Sequence, residues 1–476
     1  TSVQLELGKL GIDAPLYIMQ SSGGMTTPEN AMARPIEIIE CGPAAGVVGA
    51  MRLSTSIASD LITFDMGGTT AKASIVEAGN VSRAAEYEVG GGLNRASRLL
   101  KGAGYVVRVA SIDIAEIGAG GGSVLSIDAG GGIAIGPESA GAKPGPACYG
   151  LGGVLPTVAD ADLILGYINP RYLCGDTYPL DIEAARKAIG QTIAPKLGIT
   201  EVEAAFGVYQ LANARMMRAI RAVSSERGRD PRQFSLHAFG GAGPIHAAGV
   251  ADGLGMQRII VPPAPGVFSA FGLLTGDVER HFTRSFNRSW DTMALGDMST
   301  LIRLMEKEAR SSMSIWAGRA SDKDLVISRF LDLQYAGQGS SLSIEITNRP
   351  IGKGLTDDIA MSFEQLHERT FGHHLPKHPI RATALRLTAC IAAQVNISEV
   401  NFEMPTLEIS MSKRPAYWGP TYGLIDTPVH STATIGEGLS GPVLIDGYDT
   451  TIVVPPGAQV VRGRQGGVII DLQSGA

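Results

Sequence analysis

Cysteine is scarce in this chain of 476 residues and carries no pattern. Cys41, Cys148, Cys174 and Cys390 are scattered, with no CxxC pair. That spacing argues against a disulfide framework or a zinc ribbon and points to a reducing, cytoplasmic compartment. Charge is thin as well, at 18% of residues against about 25% in an average soluble domain. The net charge of −6 comes without any long basic run, which argues against nucleic acid or an anionic membrane as a partner. No uninterrupted apolar stretch approaches the ~18 residues a membrane span needs, and no signal-peptide pattern opens the chain.

What is abundant is glycine, at 61 positions, nearly twice the usual share of about 7%. The excess sits in short clusters without an internal repeat, which suggests tight turns and close backbone approach to a ligand. Hydrophobic residues make up 44%, enough for a large core, and the length allows roughly three domains of about 150 residues.

Along the chain, Leu16 to Met19 predicts a short strand, and Gly42 to Gly46 opens a helix toward Ser54. Leu61 to Asp65 and Thr70 to Val76 predict two strands joined at Gly67-Gly68, and a glycine-dense stretch runs from Gly90 to Gly153 with strands at Val124 to Ile127 and Ile133 to Ile135. The segment from Asp181 to Arg227 is helical in pattern, broken near Pro195. Leu236 to Phe239 and Arg258 to Val261 flank a glycine loop and a helix from Pro244 to Leu254, with proline at its start. Past Phe282 the glycine clusters thin. Helices are expected at Leu301 to Trp316 and Thr356 to Phe371, among strands such as Arg329 to Tyr335 and Leu342 to Ile346.

Two glycine motifs carry candidate chemistry. Asp65-Met66-Gly67-Gly68-Thr69-Thr70 follows an apolar strand. Glycines there let backbone N–H groups approach a phosphate, threonine hydroxyls add donors, and a strand-end carboxylate suits magnesium held partly through water. An ordinary Gly-Gly hairpin is the equal alternative. Gly240-Gly241-Ala242-Gly243 lies between a strand and a helix and can hold an anion or lie flat against a base, or it is a plain strand-to-helix turn. The pair is stronger than either alone, because a nucleotide cleft of the actin-like type uses one of each.

Longer runs make the pattern specific: Met19 to Gly24, Glu40 to Gly46, Asp65 to Lys72, Ile117 to Ser123, Gly136 to Gly141, Pro144 to Gly150, Gly240 to His246 and Pro262 to Gly266. Tyr335 to Gln338 and Pro455 to Gly457 extend the series nearly to the end. Together they resemble the hydantoinase A/oxoprolinase family. The resemblance implies an α/β fold with an actin-like ATPase (ribonuclease H-like) core over residues 1–281 and a β-rich α+β domain over 282–476. It assigns Asp65 to magnesium. Gly67, Gly68, Thr69 and Thr70 become the second phosphate turn, which continues as Ala71-Lys72 where many members have Thr-Asp, and Gly240, Gly241, Ala242 and Gly243 the adenosine loop. The family's first phosphate turn, DxGGTxTD, has no copy here, so an N-terminally truncated core is expected, missing half of its ATP cleft. Independent catalysis by this polypeptide is correspondingly in doubt.

The resemblance implies ATP-dependent hydrolysis of a cyclic amide such as a hydantoin, 5-oxoproline or a lactam. ATP and Mg2+ would be the cofactors, with a hydantoinase B-type subunit and the absent N-terminal segment as partners. A subunit of an ATP-dependent ketone carboxylase, or a non-catalytic nucleotide-binding fragment, are the alternatives. Asp113, Glu116, Glu138 and Asp160 are the acidic candidates for the chemical step, each with a structural hydrogen-bonding role as its rival. Within Thr157 to Asp162, Asp160 matches the family pattern and Asp162 replaces an amide. Lys72 is read as pointing to a phosphate or to solvent. Cys41 is read as a small buried residue. His367, His373, His374 and His378 cluster, but Pro376 breaks any helix that would set zinc spacing, which favours a solvated loop.

Overall fold

The computed structural model describes residues 2–54, 57–84, 87–89, 93–95, 105–107, 109–171, 173, 175, 178–291, 295–314, 324–347, 352–393, 395, 400, 412–436 and 438–472. Gly90, Cys174 and Trp316 lie outside them. Among the described residues no helix is long and apolar enough to cross a membrane.

The architecture is mixed α/β, built on a twelve-stranded and a six-stranded sheet. The middle of the larger sheet runs Ile114–Ile117, Ala71–Glu77, Leu61–Met66, Ser235–Phe239, Arg258–Val261. Leu61–Met66, Ser235–Phe239 and Arg258–Val261 are mutually parallel, and the two strands before them are antiparallel. Leu61–Met66 is buried at nearly every position, as a strand covered on both faces must be, so its sequence reads as a continuous apolar run.

The connection from Ile114–Ile117 to Ser235–Phe239 carries the helix Glu201–Val223, and Gly243–Leu254 returns from there to Arg258–Val261. Glu201–Val223 starts at a capping box in which Thr200 and Glu203 satisfy each other's backbone N–H groups. Its Ala204, Val208, Ala212, Met216 and Ile220 form the buried stripe. The break expected near Pro195 is there: Pro195 sits in the first turn of Ala194–Leu197, and left-handed Gly198 closes it.

The six-stranded sheet is ordered Ile18–Met19, Met25–Thr26, Val278–Ser289, Ile380–Ile391, Leu325–Tyr335, Leu342–Ile346. It shares a core with the helices Leu295–Met313 and Lys353–Phe371 through Met298, Ile302, Leu331, Tyr335, Phe363 and Leu385. Both helices begin earlier than their apolar periodicity suggests, Leu295 for Leu301 and Lys353 for Thr356.

Strand pairing does not follow a division at residue 282. Val278–Ser289 spans that point, and residues 18–26 join the second sheet. The tail returns to the first. Val468–Asp471 pairs antiparallel with Arg258–Val261, and Gln459–Arg462 adds beyond it. Trp418, Val429, Leu444, Ile445 and Val453 of the preceding segment belong to the main core. Without this return, Arg258–Val261 would present a bare apolar edge. A composition shift along the chain cannot register a segment that comes back in space.

Candidate functional site

Leu61–Met66 and Ala71–Glu77 form the expected hairpin, with Gly67 N–H donating to the Thr70 carbonyl at 3.1 Å. Its outer side is held from behind by a second glycine run. Gly121 N–H donates to the Gly67 carbonyl at 3.1 Å and Gly122 N–H to the Gly68 carbonyl at 2.6 Å. A Cβ on Gly120 would lie 2.6 Å from the backbone of Gly68 and Thr69, so no side chain fits between these layers. The front is open: among the described residues nothing lies within 4 Å of a Cβ built on Gly67 or Gly68.

Asp65 stands at the end of its strand, half-buried. Burial pushes its carboxyl above the usual aspartate value, Lys72 opposes that, and Glu116 adds to it. The three residues face one another across the ladder, with Asp65 opposite Lys72 and Lys72 opposite Glu116. Lys72 is already engaged: its Nζ lies 3.0 Å from Glu116 Oε1 and donates to Thr70 Oγ1 at 2.8 Å. It points neither to solvent nor freely into the cleft. Among the described residues no hydrogen bond is made to the Asp65 carboxylate, which suits a cation completed by phosphate oxygens and water.

The second loop abuts the first. Ala242 N–H donates to the Met66 carbonyl at 3.0 Å and Gly240 N–H to the Pro265 carbonyl at 2.8 Å. Gly240 has φ +81°, and a Cβ there would lie 2.3 Å from the Met66 carbonyl and 2.6 Å from Asp65 Oδ1. The close approach therefore belongs to Gly240. Gly241 and Gly243 would meet neighbours only at 3.7 and 3.5 Å.

Between the turns lies a cavity of about 340 Å³. Gly67, Gly68 and Gly121 line one side, Gly241, Ala242 and Gly266 another, and Ala159, Asp162 and Ile245 part of the rest. A further wall is Asp446 to Thr451, the turn between Val443–Asp446 and Thr451–Val454. Thr450 Oγ1 donates to the Gly241 carbonyl at 2.8 Å, and Gly266 N–H donates to Asp449 Oδ2 at 2.6 Å. Burial pushes the Asp449 carboxyl up. Asp446 anchors the turn: Arg414 grips both its oxygens at 3.0 Å, Asn169 Nδ2 donates at 2.8 Å, and the ion pair is almost fully buried. Asp-Gly between two apolar runs announces a hairpin; nothing in it announces that the hairpin closes a cavity made over 170 residues earlier.

Of the acidic candidates, only Glu116 lies on the ladder beside the first turn. Asp160 is spent on structure: its carboxylate accepts from Cys148 N–H at 2.7 Å, Ala147 N–H at 3.3 Å, and the Thr157 N–H and hydroxyl at 2.8 Å, capping the helix Val158–Ile164. Asp113 is buried in an ion pair with Arg227. Glu138 is exposed. Cys41 is half-buried. His367 is the buried member of the histidine cluster, bonded to Gln338 and the His373 carbonyl, while His373, His374 and His378 do not gather into a metal-ligating group among the described residues.

The hydantoinase/oxoprolinase family model matches residues 1–282. Caprolactamase subunit alpha of Pseudomonas jessenii is 30% identical over 459 residues, 95% of this chain and 64% of the relative. The acetophenone carboxylase gamma subunit of Aromatoleum aromaticum is 29% identical over 461 residues, 90% of this chain and 59% of the relative. The crystal structure of ATP-dependent caprolactamase from Pseudomonas jessenii matches with a TM-score of 0.83 at 29% identity, covering 99% of this chain and 67% of that one. The chain thus spans less than two thirds of the length of these two curated relatives.

Proposed function

We propose, from the premise that this chain belongs to the hydantoinase/oxoprolinase family, that it contributes one side of an ATP site for the phosphorylation-driven hydrolysis of a cyclic amide. The observation that carries this reading is the cavity itself, where an open Gly67-Gly68 turn with Asp65 at its root faces the Gly240–Gly243 loop. The strand order Ile114–Ile117, Ala71–Glu77, Leu61–Met66, Ser235–Phe239, Arg258–Val261, with the last three parallel, supports reading this unit as a ribonuclease H-like half of an actin-like core.

A ring amide resists water because nitrogen donates into its carbonyl. Transfer of a phosphoryl group to the carbonyl oxygen removes that protection and makes a leaving group. The chain's own part is positioning and charge. Gly67 and Gly68 present backbone toward phosphate oxygens, and Thr69 and Thr70 stand beside them to donate. The Glu116-paired Lys72 sets the field at Asp65. Magnesium, held at Asp65, would neutralise charge on the phosphates. The Gly240 loop and the Asp446 to Thr451 turn enclose the rest of the nucleotide and exclude water. A hydantoinase B-type subunit is the proposed partner for ring opening. Similarity to a carboxylase subunit favours one second reading, in which the phosphorylated oxygen belongs to the enol of a ketone.

The test is MgATP binding and turnover by this chain with a separately supplied N-terminal segment and a hydantoinase B-type partner across hydantoins, 5-oxoproline and lactams, with and without bicarbonate and a ketone. Ring opening without bicarbonate supports hydrolysis. Turnover requiring both bicarbonate and the ketone replaces it with carboxylation, and absence of MgATP binding overturns both.

A further inference from the structure

The floor of the cavity holds a carboxylate that none of the roles above uses. Asp162 is 1% exposed, lines the cavity, and its Oδ1 has no hydrogen-bond partner among the described residues. A buried carboxylate oxygen left bare carries a full desolvation penalty, so the group behind it decides what it can be.

That group is His246, in the helix Gly243–Leu254 and fully buried. Its Nε2 lies 3.2 Å from Asp162 Oδ2, and its Nδ1 lies 2.8 Å from Asn213 Oδ1. The orientation of Asn213 follows from its other neighbour. The Tyr209 hydroxyl donates to the Ile245 carbonyl at 3.4 Å, which leaves its oxygen to accept, and Asn213 Nδ2, beside Gly249 with that oxygen, can meet it only as a donor. Tyr209 also stacks on the His246 ring, with centroids 4.9 Å apart. With Asn213 Nδ2 on the tyrosine, its Oδ1 faces the histidine and can only accept, so His246 Nδ1 carries a proton. Nε2 of a neutral ring would then be a lone pair aimed at a second acceptor. The 3.2 Å contact therefore contains one more proton, on the imidazole or on the carboxyl. In either position the pair is neutral overall.

We infer that Asp162 and His246 share one proton beneath the cavity, and that Asp162 Oδ1 accepts a hydrogen bond from a hydroxyl, amine or bound water of the nucleotide. This rests on the reading of the cavity as a nucleotide site. A neutral pair can sit under phosphates without repelling them, yet it leaves a directional acceptor free. Asparagine at position 162 would reproduce the pattern, with Nδ2–H donating to His246 Nε2 and Oδ1 facing the cavity. Alanine or leucine would not.

Two measurements on the full chain test this separately. The first is two-bond proton–nitrogen correlation NMR on protein labelled with 15N-histidine, with His246→Gln to assign the signal. The expected result is a protonated Nδ1 in the free protein. A neutral ring protonated only at Nε2 would overturn the shared proton without touching the nucleotide reading. The second is calorimetric titration with MgATP of the wild type, Asp162→Asn, Asp162→Ala and Asp162→Leu, with melting curves to confirm folding. Asp162→Ala and Asp162→Leu should weaken binding at least tenfold, while Asp162→Asn stays within about threefold of wild type. Equal binding by all four would remove Asp162 from the ligand and leave the cavity assignment standing. No binding by the wild type would overturn the nucleotide reading and the ligand role of Asp162 together, the NMR result still deciding the proton. If the alanine and leucine variants fail to fold, a tenfold loss in Asp162→Asn overturns the acceptor role.

Discussion

Asp65 is held where ionisation is uphill. Its folded carboxyl sits above the usual aspartate value, chiefly through burial. A raised folded value means that the native state keeps its proton to higher pH, so stability falls as pH rises through that window and stays lower at neutral pH. Asp65→Asn should therefore raise the melting temperature by a few degrees at pH 7, a gain of about 1 kcal/mol, while lowering MgATP-dependent turnover at least tenfold at limiting magnesium. Thermal denaturation and a magnesium titration of ATPase rate check both halves. Unchanged turnover would remove Asp65 from the site. His237 gives the opposite pH signature. It is fully buried, neither ring nitrogen has a side-chain hydrogen-bond partner among the described residues, and burial pushes it down to about 3. The unfolded state binds the proton first, so stability is lost as pH falls from about 6.5 toward 3. His237→Leu should flatten that acid limb and add about 1–3 kcal/mol at pH 5 by removing a bare polar group, as read by urea denaturation at pH 5 and pH 8.

At the scale of elements, the second loop shows why glycines in one motif are not equivalent. Gly240 combines φ +81° with a Cβ position 2.3 Å from the Met66 carbonyl. Gly240→Ala should cost about 2 kcal/mol or more and displace the Asp65 turn, lowering MgATP affinity. Gly243 opens a helix, with its nearest neighbour at 3.5 Å. Gly243→Ala should fold normally, with stability unchanged or raised by up to about 1 kcal/mol. Paired melting curves and MgATP titrations separate the two, and equal tolerance would show that the contact at Gly240 is misplaced. The hairpin over the cavity is secured differently, by the buried Arg414–Asp446 pair. Arg414→Ala strands a carboxylate in the core and should cost about 3–5 kcal/mol. It should also loosen the Gly447 to Thr451 wall, so nucleotide affinity falls in the variant under conditions where it remains folded.

At the scale of the whole molecule, residues 413–471 complete the first unit: Lys413–Tyr417, Leu424–Ser431, Val443–Asp446 and Thr451–Val454 form a four-stranded sheet of their own, and Leu439–Ser440, Gln459–Arg462 and Val468–Asp471 join the first sheet. Residues 413–471 supply partners for Arg258–Val261, a share of the main core and one wall of the cavity. A chain ended at residue 412 should aggregate or lose its cooperative unfolding transition, and supplying the tail on a separate polypeptide should restore part of the soluble yield. A well-folded truncated chain that binds MgATP as the full chain does would contradict the pairing of Val468–Asp471 with Arg258–Val261.

The sequence by itself determined the local elements and the family. The hairpin at Gly67-Gly68, the strand–loop–helix at Gly240 and the broken helix around Pro195 are visible because turn chemistry and apolar periodicity act over a few residues. Long runs such as Glu40 to Gly46 and Pro144 to Gly150 carry the kinship. What only the tertiary structure decided is which side chains share a space. Asp160 and Asp162 are two residues apart on one short helix, yet one is saturated by backbone N–H groups and the other lines a cavity and has an oxygen without a partner among the described residues. Asp113 and Glu116 are three apart, and one is locked to Arg227 while the other pairs with Lys72. The wall made by Asp446 to Thr451 is brought to Gly241 by packing across more than two hundred residues, where Thr450 Oγ1 reaches the Gly241 carbonyl. A carboxylate's role is set by the donors and the solvent around it, and those arrive from segments whose distance along the chain carries no record of the contact.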